Sequence, residues 1–251
     1  MSSSNSDELL WKPPADLRTN MDAFIDFVNT KRSMSLDGSY KQLYEWSINK
    51  YAEFWEDFYN YSGIVTSQTF NKVVDTSKGV KDVPEWFSGA RLNFAENLLR
   101  FAEKYPDRPA MFTTGEGQEI RKITFSELKC RVSLIATALK SCGVEKGDKV
   151  VGYIPNCALA VEAMLASVSL GAIWSSASPD FGVTGVLDRF SQIKPKVMFS
   201  VDGVRYNNKI HMHVDRLKQV VDGLPEVERV IVMGYVRPEI ELDLSGIKVS
   251  Y

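Results

Sequence analysis

From Thr124 to Met233 the chain alternates short apolar runs with stretches whose apolar side chains recur at helical spacing, and few folds accommodate that order. Thr124-Phe125-Ser126-Glu127 fits a capping box: the threonine oxygen can accept from the amide three residues on while the glutamate reaches back. A helical stripe over 128–140 follows, with Gly143 where a left-handed C-terminal cap is wanted. Gly147-Asp148 turns the chain into 149–154, whose Val150, Val151, Tyr153 and Ile154 make the apolar run of a strand buried on both faces. The pattern then predicts a helix over 158–170 closed by Gly171, a strand at 172–175 and a helix over 184–193. A strand at 196–201, a helix over 209–222 and a strand at 229–233 complete it. Parallel strands need crossover connections, and the intervening helices supply them. The expected fold class is therefore α/β, a mostly parallel, doubly wound sheet with helices on both faces. Residues 244–251 read as the start of another strand with no closing element, so the chain is expected to stop before the sheet is complete.

Upstream the pattern is helical. Met21, Phe24, Ile25 and Val28 fall on one helical face, with Asn20 placed as N-cap and an end near Arg32. Ser39 is positioned to cap a second helix whose Leu43, Tyr44, Ile48, Tyr51, Phe54, Trp55 and Phe58 form a wide, largely aromatic stripe, read as core packing. Residues 63–91 contain Gly79, Pro84 and Gly89 and sustain no period, which predicts short strands and loops joining two parts. The expected organisation is a helical region at 1–90 and the sheet domain at 91–251. Residues 93–104 read as helix again, stopped at Tyr105-Pro106, and a hairpin is expected from 110–113 and 119–123 through Gly115-Glu116-Gly117.

Composition excludes several classes. With 251 residues the chain can bury a full core without disulfides or metals. Thirty Lys plus Arg balance thirty-two Asp plus Glu in no long run of one sign, which argues against nucleic-acid partners and a polybasic membrane anchor. The most apolar stretch, 163–174, is shorter than the roughly 20 residues that cross a bilayer. The opening Met1-Ser2-Ser3-Ser4-Asn5-Ser6-Asp7 has neither a charged n-region nor an apolar run, so a cytosolic protein with reduced thiols is expected and the sequon Asn60-Tyr61-Ser62 has no use. Cys130, Cys142 and Cys157 include no CxxC, and His211 and His213 cannot complete a zinc set, so no metal site is expected.

Open parallel sheets gather ligands beyond the carboxyl ends of their strands, where helix N-termini and loop amides converge. After the first strand, Cys157 opens a helix; it reads either as a low-pKa nucleophile or, with no partner histidine, as a structural thiol. Trp174-Ser175-Ser176-Ala177-Ser178-Pro179-Asp180-Phe181-Gly182 combines small hydroxyl residues with a fixed turn; it suits close passage of a ligand, or a tight turn in which Asp180 or Thr184 caps the next helix. The segment 201–209 puts Arg205, Asn207, Asn208 and Lys209 before an expected helix, a sensible place for a phosphate or simply a solvated turn. GxxxxGK[ST], GxGxxG, GxSxG and HExxH are all absent, and spacing alone builds no catalytic constellation.

Several strings nevertheless coincide with one family. Trp46-Ser47-Ile48, Phe54-Trp55, Val74-Asp75-Thr76-Ser77-Lys78-Gly79, Pro84-Glu85-Trp86-Phe87 and Arg91-Leu92-Asn93-Phe94-Ala95-Glu96-Asn97-Leu98-Leu99 resemble the N-terminal region of acyl-CoA synthetases of the acetyl-CoA synthetase type. Thr124-Phe125-Ser126-Glu127-Leu128, Gly147-Asp148-Lys149-Val150, the 171–182 string and Val186-Leu187-Asp188-Arg189-Phe190-Ser191-Gln192-Ile193 extend the resemblance, which runs from about Leu10 to the last residue. It implies an adenylate-forming acid–thiol ligase using ATP, CoA and Mg²⁺: acid and ATP give an acyl-AMP and diphosphate, and CoA displaces AMP. The strings at 75–79, 174–182 and 187–190 set the chain apart from plain acetyl-CoA synthetases, which carry a glycine pair where Ser175-Ser176 stands, and imply acetoacetate as the acid. The family's phosphate loop ending in lysine and its C-terminal catalytic lysine have no counterpart in these residues, so no catalytic residue is named and the chain is expected to be inactive alone. The resemblance assigns Arg205 to the CoA phosphates, with Asn208 in place of a second basic residue, and Ser175 and Ser176 to the pantetheine tunnel. Open beside it stand a self-contained CoA- or nucleotide-binding module, an interaction protein using an exposed sheet edge, and another short-chain acyl-CoA synthetase.

Overall fold

A computed structural model describes residues 14 and 16–237, which divide into two compact units after Arg91. The first unit opens with α1 (Asn20–Arg32), capped by Thr19 rather than Asn20. The Thr19 hydroxyl accepts from the Asp22 amide at 3.3 Å, and the Asp22 carboxylate accepts from the Thr19 amide at 2.7 Å. That reciprocal box needs an acid three residues after the cap, and only Thr19 has one. The single helix expected after Ser39 is two, α2 (Tyr40–Asn49) and α3 (Tyr51–Ser62), broken at Lys50 with φ −128° and ψ 43°. Phe24, Val28 and Trp46 form the core of this unit, with Phe54 edge-on to both Phe24 and Trp46. The outer part of the aromatic stripe, including Tyr44, Ile48, Trp55 and Phe58, stays exposed, so the stripe is wider than the core it serves. At 63–91 the expected short elements appear: β1 (Lys72–Val74) pairs antiparallel with β2 (Trp86–Ser88) around a 3₁₀ turn at Val80–Asp82.

In the second unit α4 (Phe94–Leu99) and α5 (Phe101–Lys104) precede a hairpin of β3 (Pro109–Thr113) and β4 (Arg121–Thr124). The Thr124–Glu127 capping box starts α6 (Phe125–Ser141). Then come β5 (Lys149–Tyr153), α7 (Ala158–Ser169), β6 (Ile173–Ala177), α8 (Val183–Ile193) and β7 (Val197–Val201). The chain continues through β8 (Gly203–Tyr206), β9 (Lys209–Met212), α9 (Val214–Asp222) and β10 (Arg229–Met233). The four-stranded sheet has the order β10-β7-β5-β6, parallel throughout. Period-two alternation sends Val150, Val197 and Phe199 into one core with Leu139, Leu165 and Ala166, and Val151, Tyr153 and Met198 into another with Phe190, Leu217 and Val220. Helices α6 and α7 thus cover one face and α8 and α9 the other, which is the doubly wound arrangement. Gly152 permits it locally, because a Cβ there would lie 2.9 Å from the Trp174 indole that crosses β5.

The helix read over 93–104 is broken at Arg100 into α4 and α5, and two further differences bear on the strand ends. The strand read as 172–175 runs on to Ala177, which places Ser175 and Ser176 inside β6. The helix read over 209–222 begins only at Val214; residues 203–212 form an antiparallel hairpin. Its two-residue turn puts Asn207 and Asn208 at φ 50° and 57°, a left-handed pair that asparagine tolerates and that matches strand twist. The strand expected at 244–251 lies outside the described residues.

Candidate functional site

The carboxyl ends of the four parallel strands are organised by three buried polar side chains. Asp202, fully buried after β7, accepts from the backbone amides of Tyr235, Val236 and Arg237 at 2.7, 3.0 and 2.8 Å, fixing the segment that leaves β10. Its own carbonyl accepts from the His213 amide at 2.8 Å, so the hairpin β8–β9 loops out between two residues bonded at its root. Tyr153, at the end of the central strand β5, donates its hydroxyl to the Phe181 carbonyl at 2.6 Å. Its carbonyl accepts from the Ser200 hydroxyl at 2.9 Å, and its ring meets the His213 imidazole edge-on with centroids 4.2 Å apart.

His213 is 2% exposed and its Nε2 has no hydrogen-bond partner among the described residues. Burial, with Arg216 nearby, pulls its pKa down to about 4. His211 is exposed on β9, whereas His213 lies past the strand end and turns inward. Because the unfolded chain takes up a proton near pH 6.5 and the folded one resists it until about 4, stability must fall with pH across that window. Denaturant titrations at pH 7 and pH 5 are expected to differ by about 2 kcal/mol from this residue, and His213→Phe is expected to abolish that part of the slope.

A pocket of about 180 Å³ with a mixed polar and apolar lining opens here between Pro179 and Asp180, the hairpin residues Val204 and Tyr206, and Arg216. A larger cleft of about 530 Å³ lies between the β3–β4 hairpin, the start of α7 and residues 233–235. In it Arg131 reaches the largely buried Glu162 carboxylate at 3.2 Å. Cys157 also lines this cleft, but burial pushes its thiol up, which favours the structural over the nucleophilic reading.

Ser175 and Ser176 pair with Val151 and Gly152 on β6, an edge of the sheet among the described residues; Ser176 is exposed and Ser175 half-buried. Arg205 stands exposed on β8, opposite Ile210. Among the described residues no hydrogen bond or ion pair joins Arg205 to either serine. The amides of Asn207 and Asn208, considered above for a phosphate, both donate to the Glu116 carboxylate at 2.9 Å. Those two bonds, with Arg205 nearby, hold Glu116 below the usual carboxylate range. Neither Asp180 nor Thr184 caps α8: Gly182 occupies the cap position without a side-chain bond, and Asp180 instead accepts from the Ser178 hydroxyl at 2.9 Å. Sequence reasoning passed over Asp202, Tyr153 and His213 as site builders; the one local signal was an acidic residue directly after the strand at 196–201, apolar but for Lys196 and Ser200. Among the described residues no three His, Cys, Asp or Glu side chains could hold a metal ion, and no helix is long and apolar enough to cross a membrane.

The sheet and its strand-end loops have a counterpart in known proteins. Residues 98–242, more than half of the chain, match the model of the family described as AMP-binding enzyme, and residues 40–98 match that described as acetyl-coenzyme A synthetase N-terminus. The chain belongs to the AMP-binding enzyme family. Within it the chain is similar to acetoacetyl-CoA synthetases: those of Rattus norvegicus and Mus musculus are each 54% identical over 241 residues, 96% of this chain and 35% of theirs. The solved structure of acetoacetyl-CoA synthetase from Streptomyces lividans aligns with a TM-score of 0.80 and 35% identity over 88% of this chain and 33% of that one. The chain thus spans about a third of the length of the relatives it matches.

Proposed function

We propose that this chain is the N-terminal part of an ATP-dependent acetoacetate–CoA ligase, converting acetoacetate, ATP and CoA to acetoacetyl-CoA, AMP and diphosphate. The observation that carries the reading is continuous similarity to acetoacetyl-CoA synthetases over 96% of the chain, through both units. In this reading residues 1–90 are the acetyl-CoA-synthetase-type N-terminal region and 91–251 the first part of the AMP-binding domain. The chemistry is coherent: a carboxylate is a poor electrophile, adenylation gives it a leaving group, and the CoA thiol then attacks the activated carbonyl. The partners are small molecules and the setting is the cytosol, in keeping with three cysteines outside any disulfide.

Within the chain, the pantetheine arm of CoA passes Ser175 and Ser176 on β6, and Arg205 faces its phosphates. The fit is partial: Arg205 is an accessible cation, but the turn amides beside it already serve Glu116, so one guanidinium and no amide pair is offered. Arg205→Ala is therefore assigned to CoA affinity alone. We assign neither Mg²⁺ nor the ATP phosphates to residues of this chain.

The test is ATP–diphosphate exchange dependent on acetoacetate or acetate. The 251-residue chain alone is expected to give none, and the same chain grafted in place of the matching third of the rat enzyme is expected to exchange with acetoacetate and not acetate. Exchange by the isolated chain would overturn the incomplete-ligase reading, and a graft that prefers acetate would move the chain to another short-chain synthetase.

A further inference from the structure

The two segments assigned above to CoA leave the sheet from different strands: the Ser175–Ser176 segment continues from β6 through Phe181, and the Arg205 hairpin leaves β7. The strand between them in the sheet is β5, and its last residue, Tyr153, reaches both. The hydroxyl holds the Phe181 carbonyl at 2.6 Å, and the ring packs on His213, whose amide closes the hairpin root on Asp202. Tyr153 is fully buried, so it acts on a ligand only through these neighbours. Ser175 and Ser176 are held within β6, but the turn that follows them and the hairpin that carries Arg205 lie outside the sheet and need such support, since small displacements of a binding group forfeit much of its contribution.

We propose that Tyr153 and His213 are positioning residues for CoA, holding the β6 exit and the β8–β9 hairpin in register from the central strand. The proposal rests on the ligase reading, and its experiment separates the two. In the graft described above, Tyr153→Phe keeps the ring and removes the bond to Phe181; the KM for CoA is expected to rise about tenfold, the value of one ordinary hydrogen bond. Acetoacetate-dependent ATP–diphosphate exchange, which uses no CoA, is expected to keep its rate. His213→Ala is expected to give the same split, and His213→Phe, which preserves an aromatic edge against Tyr153, to recover most of it.

An unchanged KM in Tyr153→Phe, or exchange falling in step with thioester formation, would overturn the proposal. So would a His213→Phe as impaired as His213→Ala, because the imidazole nitrogen would then be a ligand contact rather than the ring a support. A wild-type graft without exchange counts against the ligase reading instead. Hydrogen–deuterium exchange on the 251-residue chain then still decides the positioning role: Tyr153→Phe, which loses the bond to Phe181, is expected to speed exchange at 178–182, and His213→Ala, which loses the ring contact, at 203–212, while α6 and α7 stay protected; either segment unchanged in its variant would refute it.

Discussion

Asp202→Ala is expected to lower the stability of the sheet unit by about 4 kcal/mol, because it strips the buried carboxylate acceptor from three backbone amides at once. Bonds from amides to a carboxylate are each worth about 1.5 kcal/mol or more. Among the described residues no Lys or Arg pairs with Asp202, so its removal strands no cation and the loss is one of backbone organisation. The segment after β10 is therefore expected to detach first, with faster amide hydrogen exchange at 235–237 before any change in α6 or α7. Asp202→Asn retains the shape but turns an amide nitrogen toward one of the donors, and about half the loss is expected. A urea titration followed by tryptophan fluorescence reads the difference, with the exposed Asp215→Asn as a control near zero. A shift of less than 1 kcal/mol for the alanine variant would mean that the β10 exit is held by packing alone.

That role was hidden in the sequence for a physical reason. The partners of Asp202 are 33 to 35 residues away and are backbone amides, which carry no residue signature. What was legible was local: the strand at 229–233 appears at its expected limits and α1 ends at the expected Arg32, because apolar periodicity and capping act within a few residues. The parallel order followed from the same alternation, since each strand had to return through a helix. Where local signals competed, the reading failed. Asn207-Asn208 is a hairpin turn signal, yet the apolar residues of α9 drew the helix boundary too far upstream. The aromatic stripe of α2 and α3 kept helical spacing through Lys50, so its break left no periodicity cue. For the candidate site, the serine-rich segment was visible as composition, but its hydroxyls lie within a strand, and the turn amides beside Arg205 are claimed by Glu116 from a hairpin some 90 residues earlier.

The helical unit depends on a comparably long-range contact, and Asp57→Ala is expected to cost it about 3 kcal/mol. Asp57 is a fully buried carboxylate on α3 that joins this helix to the end of α1. Lys31 donates to one oxygen at 2.6 Å and Arg32 to the other. Burial alone would push the carboxyl up, but the bonds from Arg32 and Lys31 more than offset it and hold Asp57 below the usual aspartate range. The sign of the pH effect follows. A carboxylate whose folded pKa is depressed contributes its stability above the unfolded value of about 3.9, and loses it as pH falls through the lowered folded value. Arg32 also reaches Glu53 and Glu56 at 3.1 and 3.0 Å, but those carboxylates are more than a third exposed and offset little of the loss. Asp57→Asn should therefore retain the fit and lose most of the pH dependence, while Asp57→Ala loses both. Thermal melts of residues 14–91 followed by far-ultraviolet circular dichroism between pH 7 and pH 3 separate the two. Equal melting of wild type and Asp57→Ala at pH 7 would show that Phe24, Val28 and Trp46 hold α1 on α3 without the ion pair.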